Sequence, residues 1–302
     1  MRKRWIILIV ICASVAASVI WWALARNPEP SHAGRSLSSW VGDMDVNTGD
    51  NPDQTVRSPE FYKQAEEAIG KMGTNTIPHL IAWAEYRPPA WKGKVYPQAN
   101  RVIRKFPTRL RLWDKQRLRA LRATYALSRM TTVSDPVLRL IDRLCAEKDP
   151  YSVFRGEIIL HGLAQRSFEG AMICLTNKSS MTRSVGVIQV AQTRWRTNAH
   201  AAVPGLIAIL KDSDGNVAAS AANALGRLRM EPATVVPALT EALYDTRVQV
   251  RANAASALGM YGAVAESALP SLGEIANDPD PSVKSDTTSA ITRIKRLSRR
   301  DQ

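Results

Sequence analysis

The chain has 302 residues, of which 45% are hydrophobic and 23% charged, and its formal net charge is +14. This apolar content excludes an intrinsically disordered chain, because such chains have too few hydrophobic residues to form a core. Three cysteines are also too few to staple a small disulfide-rich fold.

The N-terminal segment predicts a membrane anchor. A basic tip, residues 1–4, precedes an uninterrupted stretch without a charge, from Trp5 to Ala25. A helix of that length rises about 30 Å, the hydrocarbon thickness of a bilayer. The positive-inside rule then places the N-terminus of a single-pass membrane protein in the cytoplasm and the rest on the extracytoplasmic (periplasmic) side. The alternative is a signal segment cleaved after Ala25, since Ala23-Leu24-Ala25 fits the small-x-small cleavage pattern.

Residues 26–57 are predicted to form a linker. They are rich in proline, glycine, asparagine and aspartate, the residues of turns and loops. Within this segment, Leu37, Trp40, Val41 and Met44 recur with helical spacing. One short amphipathic helix is therefore expected in an otherwise irregular stretch.

The C-terminal part of the chain is a sequence repeat. One repeat period is the number of positions from Pro204 to Pro237, which are equivalent residues of successive units. Its markers are a proline, an aspartate eight positions later and a valine five positions after that. They recur in one register at Pro204, Pro237 and Pro270, at Asp212, Asp245 and Asp278, and at Val217, Val250 and Val283. Proline suits the first turn of a helix, and aspartate suits the turn that follows. Each unit is therefore predicted to be a helix, a turn and an alanine-rich second helix, which must stack on its neighbours to bury its apolar face.

The pattern of the second helix also recurs upstream. An alanine followed by a large aliphatic, a small, a basic and a large apolar residue occurs within 67–72, 125–130 and 223–228. The repeats are thus predicted to span residues 58–297, with residues 298–302 as a tail. The last second helix carries serine, threonine and charged residues where earlier ones have alanine, as a terminal cap requires.

These motifs resemble the HEAT-repeat family, in particular the short bacterial HEAT-like repeats that also occur in phycobilin lyases. The resemblance covers roughly residues 58–297 and is strongest at 201–297. It implies an all-α fold: a right-handed α-solenoid of antiparallel helix pairs, here preceded by one transmembrane helix, with the second helices lining the concave side. Scaffolds, adaptors and a few enzymes share this architecture, so it does not identify the function.

The main departure from the repeat is a basic insertion at 87–113. Thirteen lysines and arginines but one acidic residue, Asp114, lie between Tyr86 and Met130, so this stretch carries +12 of the total charge of +14. It forms either a solvated face or a surface for a polyanion, which is anionic lipid, nucleic acid or an acidic protein. On the extracytoplasmic side, lipid or another envelope polyanion is expected rather than nucleic acid. The candidate polyanion-binding residues are Arg101, Arg104, Lys105, Arg109, Arg111, Arg117, Arg119 and Arg122.

No catalytic, cofactor or metal site is expected. None of the four histidines stands at metal-ligand spacing from another histidine or a cysteine, and the sequence has no glycine-rich phosphate loop, nucleophile elbow or Cys-x-x-Cys pair. Asp212, Asp245 and Asp278 share one repeat position, which indicates turn chemistry. We expect Cys145 and Cys174 to be buried free thiols, with a disulfide between them as the alternative.

Three functions are compatible with these patterns. The first is a membrane-tethered scaffold whose concave solenoid face binds an unknown protein or peptide partner. The second is polyanion binding through the basic segment 87–129. The third is an enzyme such as a HEAT-like bilin lyase, for which no residue can be assigned. We predict the first: a protein that is not an enzyme and needs no cofactor.

Overall fold

The structure, a computed structural model, describes residues 29–44, 59–103, 105, 114–131, 133–195 and 197–299. Two short antiparallel strands, β1 (Ser31–His32) and β2 (Arg35–Ser36), precede the helices. The α-helices are α1 (Leu37–Asp43), α2 (Pro59–Met72), α3 (Ile77–Ala84), α4 (Ala90–Ile103), α5 (Lys115–Ser128), α6 (Asp135–Ala146), α7 (Pro150–Arg166), α8 (Phe168–Leu175), α9 (Ser180–Val190), α10 (Val203–Ile209), α11 (Gly215–Leu228), α12 (Pro232–Ala242), α13 (Val248–Tyr261), α14 (Leu269–Glu274) and α15 (Pro281–Ser298). The chain divides into two compact units, residues 1–126 and 127–302.

In the first unit, the small hairpin leads directly into α1. Ser36 caps this helix, because its hydroxyl accepts a hydrogen bond from the backbone N–H of Ser39 at 3.4 Å. The guanidinium of Arg35 lies 3.9 Å from the ring centroid of Trp40. The apolar residues that recur with helical spacing in this segment are all buried: Leu37, Trp40, Val41 and Met44.

In the second unit, α10 to α15 form three helix pairs in the repeat register. Pro204 and Pro270 lie in the first turns of α10 and α14, where a missing backbone N–H costs no helical hydrogen bond. The middle pair differs, because α12 begins at Pro232 and continues through Pro237. The prediction that Pro237 starts its helix is therefore wrong. The residues before the other two prolines form 3-10 turns instead, so only the middle helix begins early.

Small residues let the second helices of successive pairs approach closely. A Cβ added to Gly226 of α11 would lie 2.8 Å from the Cα of Ala257 in α13. A Cβ added to Gly259 of α13 would lie 3.0 Å from the Cα of Ala290 in α15. Side chains at these glycines would hold the helices apart, so their absence permits the stacking that buries the alanine and leucine faces.

The three repeat aspartates form the turns within the helix pairs. The carboxylates of Asp212, Asp245 and Asp278 each accept a hydrogen bond from the backbone N–H two residues later, at 2.8, 2.8 and 2.9 Å. This is the local side-chain turn that aspartate favours. The predicted turn role of these residues is confirmed.

Arginines bind the same carboxylates. Arg183 of α9 donates two hydrogen bonds to Asp212, at 2.6 and 2.7 Å, and Arg251 of α13 donates two to Asp278, at 2.8 and 3.1 Å. Asp245 is bound by Arg247, whose guanidinium also donates to the carbonyl of Asp212 at 2.5 Å. These hydrogen bonds lower the pKa of all three carboxyl groups. Because a two-bond guanidinium–carboxylate contact has a strict geometry, it aligns successive helix pairs.

The predicted membrane topology is corrected by the structure. Among the described helices, none is both long and apolar enough to cross a bilayer. The longest of them, α15, has 18 residues and includes five that are charged, and charges are costly in hydrocarbon. For the residues that the structure describes, the prediction of a single-pass membrane protein with its solenoid on the periplasmic side is therefore wrong. The segment from Trp5 to Ala25, on which it was based, lies outside the described residues.

Both cysteines of the helical region are free thiols. Cys174 is fully buried, and this burial raises the pKa of its thiol to about 12. Cys145 is only half-buried, although burial raises its pKa as well. The prediction of two buried free thiols is thus confirmed for Cys174, while Cys145 retains some exposure.

Candidate partner-binding groove

A groove crosses the second unit where the second helices of three successive pairs lie side by side. It has a volume of about 340 Å³ and is open to solvent. The side chains that line it come from α9 and the residue that follows it, from α11 and from α13: Val187, Ile188, Ala191, Asn216, Ala219, Ser220, Asn223, Ala224, Arg227, Gln249 and Asn253.

The polar residues of α11 reach the groove because of their spacing. Asn216, Ser220, Asn223 and Arg227 follow one another at intervals of four, three and four positions, which places them on one face of the helix. All four are exposed or half-buried. The helix directs its apolar residues into the unit, including Val217, Ala218, Ala221, Leu225 and Leu228. Local periodicity therefore sorts α11 into a core face and a groove face.

The repeat register continues this groove face onto α13. Gln249 stands one repeat period after Asn216, and Asn253 stands one repeat period after Ser220. The side-chain amide of Asn253 donates to the backbone carbonyl of Gln249 at 2.8 Å, which orients it along the helix. Together with Asn223, these side chains give the groove four carboxamides. Each carboxamide offers both donors and an acceptor, as a backbone peptide group does.

One wall of the groove is apolar. Val187, Ile188 and Ala191 supply it, and the side chain of Ile188 is 51% exposed. Met181, two turns earlier on the same face of α9, is 67% exposed. Large apolar side chains beside a few convergent polar groups are typical of a ligand site. Among the described residues that line the groove, Arg227 is the one charged side chain.

The predicted polyanion-binding residues lie in the first unit. Arg101 is exposed near the end of α4, and Lys105 is exposed just beyond it. On α5, Arg117 and Arg119 are exposed and Arg122 is half-buried. The guanidinium of Arg119 is 3.8 Å from the ring centroid of Trp83, which gives it an aromatic contact. The other three predicted residues fall outside the described part of the chain: Arg104, Arg109 and Arg111.

Asp114, the one acidic residue of the basic stretch, is bound locally. Its carboxylate accepts hydrogen bonds from the hydroxyl of Tyr86 at 2.8 Å and from the ammonium of Lys92 at 3.1 Å. It also accepts from the backbone N–H groups of Gln116 and Arg117 at the start of α5. Burial opposes ionisation of this carboxyl, but the hydrogen bonds from Tyr86 and Lys92 lower its pKa. Lys92 is therefore paired within the first unit.

The groove residues Asn216, Asn223, Gln249 and Asn253 were not predicted from the sequence as a site. The sequence did contain a signal for them. Asn216 and Gln249 stand one repeat period apart, as do Ser220 and Asn253, and these polar residues face away from the alanine-rich side of their helices. No metal site accompanies the groove: within the described residues, no histidines, cysteines or carboxylates are grouped so that they could hold an ion.

Comparison with known proteins supports the repeat architecture. Residues 203–292 match the family model of HEAT repeats, which is the region where the repeat register is strictest. No curated protein matches the sequence.

A search of solved structures finds distant likenesses. A designed armadillo repeat protein in complex with the peptide (KR)4 has a TM-score of 0.43 and 14% identity over 86% of this chain and 100% of its own. An engineered protein has a TM-score of 0.42 and 16% identity over 87% of this chain and 99% of its own. Kap121p bound to Nup53p has a TM-score of 0.41 and 13% identity over 85% of this chain and 29% of its own. Likeness at this level carries no argument about what this chain binds.

Proposed function

We propose that the groove of the second unit binds an extended segment of a protein or peptide partner. The observation that supports this is the patch of four carboxamides, from Asn216, Asn223, Gln249 and Asn253, beside an apolar wall. An extended peptide presents a backbone N–H and C=O about every 3.3 Å. Amide side chains can pair with those groups whatever the peptide sequence, while the wall at Ile188 takes an apolar side chain. Arg227 adds one positive charge to a site that is otherwise neutral.

The proposal is tested with peptides selected by the protein itself. Full-length protein serves as bait for a display library of random peptides about 12 residues long, enough to extend about 40 Å. Dissociation constants of the selected peptides are then measured by fluorescence anisotropy for the wild type and for an Asn223→Ala/Asn253→Ala variant. Each lost amide hydrogen bond contributes about 0.5–1.5 kcal/mol, so we expect the double variant to bind about tenfold more weakly.

The matched control is Asn277→Ala. Asn277 is also an exposed asparagine of the second unit, but it does not line the groove. Its replacement should leave the dissociation constants unchanged. All three proteins should also unfold at similar temperatures, because the altered side chains lie outside the core. Equal affinities of the wild type and the double variant for every selected peptide would rule out the groove.

A further inference from the structure

Helix α4 presents a face that no other described element covers. None of its residues is buried, and it makes no extensive contact with another element of the described chain. Trp91, Val95 and Val102 are 54%, 46% and 56% exposed. Their spacing of four and seven positions places them on one side of the helix, in an apolar ridge about 16 Å long.

Three cations accompany this apolar ridge. Lys94 and Arg101 are exposed, and together with Lys105 just beyond the helix they have helical spacing, so they form a basic stripe that runs beside the apolar ridge. Within the described residues, none of the three forms an ion pair. Lys92, by contrast, is bound to Asp114 and Tyr86. Of these four cations, one thus attaches the helix to its own unit and three remain available to a ligand.

The composition of α4 makes it a weak helix by itself. Isolated helices of about 12–15 residues are marginally stable in water, even with good helix formers. This helix has 14 residues, and it contains Gly93 and Pro97 in its interior, both of which weaken a helix. Packing of its apolar ridge against a partner would add to the stability that the contacts of Lys92 with Asp114 and Tyr86 supply.

We propose that this face of α4 docks an acidic segment of a partner protein, one whose carboxylates flank an apolar side chain. Exposed tryptophan and arginine are the residues that most often anchor protein interfaces. Nucleic acid fits less well, since two valines of the ridge offer neither a charge to a phosphate nor a ring for stacking a base. A membrane surface fits less well too, because binding there scales with buried apolar area and only three apolar side chains are present.

The test uses a labelled peptide in which glutamate and aspartate surround leucines. Two matched peptides separate the contributions: one has glutamine and asparagine in place of the acids, and the other has serine in place of leucine. Binding to the full-length protein is followed by fluorescence anisotropy at low and high salt. We expect the acidic, apolar peptide to bind best, and its affinity to fall as salt screens the exposed cations.

Matched variants then locate the site. Trp91→Ala and Lys94→Glu/Arg101→Glu should each weaken the acidic peptide by about tenfold or more, as loss of an interface anchor does. The controls are Phe154→Ala, which removes an aromatic side chain that is 50% exposed elsewhere, and Lys284→Glu, which reverses an exposed charge on α15. Neither control should alter binding. Hydrogen exchange supplies a separate readout, because binding should protect the backbone amides of residues 90–103.

The groove variant distinguishes this proposal from the function proposed above. Asn223→Ala/Asn253→Ala should bind the acidic peptide as the wild type does. Equal binding of the neutral peptide, or equal losses in the Trp91 and Phe154 variants, would overturn the proposal. It would also be overturned if vesicles of phosphatidylcholine and phosphatidylserine, or a single-stranded oligonucleotide, bound more tightly than the peptide and depended on Trp91 and Arg101.

Discussion

A Gly162→Ala variant is expected to be about 2–3 kcal/mol less stable than the wild type. Gly162 lies within α7 and packs against Ser128. A Cβ there would sit 2.8 Å from the carbonyl carbon of Ser128 and closer still to its oxygen. Backbone atoms cannot turn aside as the end of a flexible side chain can, so Ser128 and α7 would have to separate. Thermal unfolding followed by circular dichroism should show a midpoint lowered by about 2–4 °C for each kcal/mol.

The control for this prediction is Gly273→Ala, because there the same substitution is expected to preserve or slightly raise the stability of the protein. Alanine is the better helix former by about 1 kcal/mol, and a Cβ on Gly273 in α14 would meet no atom within 4 Å. This variant should unfold at or slightly above the temperature of the wild type. If Gly162→Ala behaved in the same way, the close approach of Gly162 and Ser128 would be disproved.

A second large effect is expected when the protein is acidified. Hydrogen bonds from Arg183, Arg247 and Arg251 lower the pKa of Asp212, Asp245 and Asp278 below the ordinary value of 3.8. The ionised carboxylates therefore stabilise the folded state at pH values above about 4. That contribution is lost as the pH falls through the lowered pKa values, where protons bind the folded protein. The free energy of unfolding, measured with urea from pH 6 to pH 3, should decrease over this range.

The triple variant Asp212→Asn/Asp245→Asn/Asp278→Asn identifies the source of that decrease. Asparagine can still form the turn, but it accepts a weaker hydrogen bond from arginine than a carboxylate does. The variant should be less stable than the wild type at pH 6, and its stability should vary less with pH. Asp142→Asn, at an exposed aspartate of α6, should leave the pH dependence unchanged. A triple variant whose curve ran parallel to that of the wild type would show that these carboxylates do not couple stability to pH.

Local signals made much of the second unit predictable. The helix starts at Pro204 and Pro270 and the turn role of Asp212 follow from a residue's effect on its own few neighbours, so they can be derived from sequence. The middle pair shows the limit of such signals. Pro237 stands at the same repeat position as the other two prolines, yet its helix begins at Pro232. That second proline has alanine at the equivalent positions of the other units, Ala199 and Ala265. The membrane prediction depended on the segment from Trp5 to Ala25, which lies outside the described residues. None of the described helices is long and apolar enough to span a bilayer.

The candidate sites show more clearly which features can be predicted from the sequence and which cannot. Basic residues were easy to find by counting, but counting could not separate Lys92, which is paired with Asp114, from Arg101, which is exposed on α4. The groove escaped sequence analysis because its polar residues come from neighbouring helices. The repeat register pairs Asn216 with Gln249 and Ser220 with Asn253, but it does not show that Asn223 and Asn253 line one groove.

By itself, the sequence determined that this chain would build paired helices and bury their alanine-rich faces by stacking, because helical periodicity and turn chemistry act over a few residues. The tertiary structure alone decided which polar side chains would meet. Arg183 reaches Asp212 across 29 residues, and the amides of α11 and α13 share one groove, because the close approach permitted by Gly226 sets the spacing between those helices.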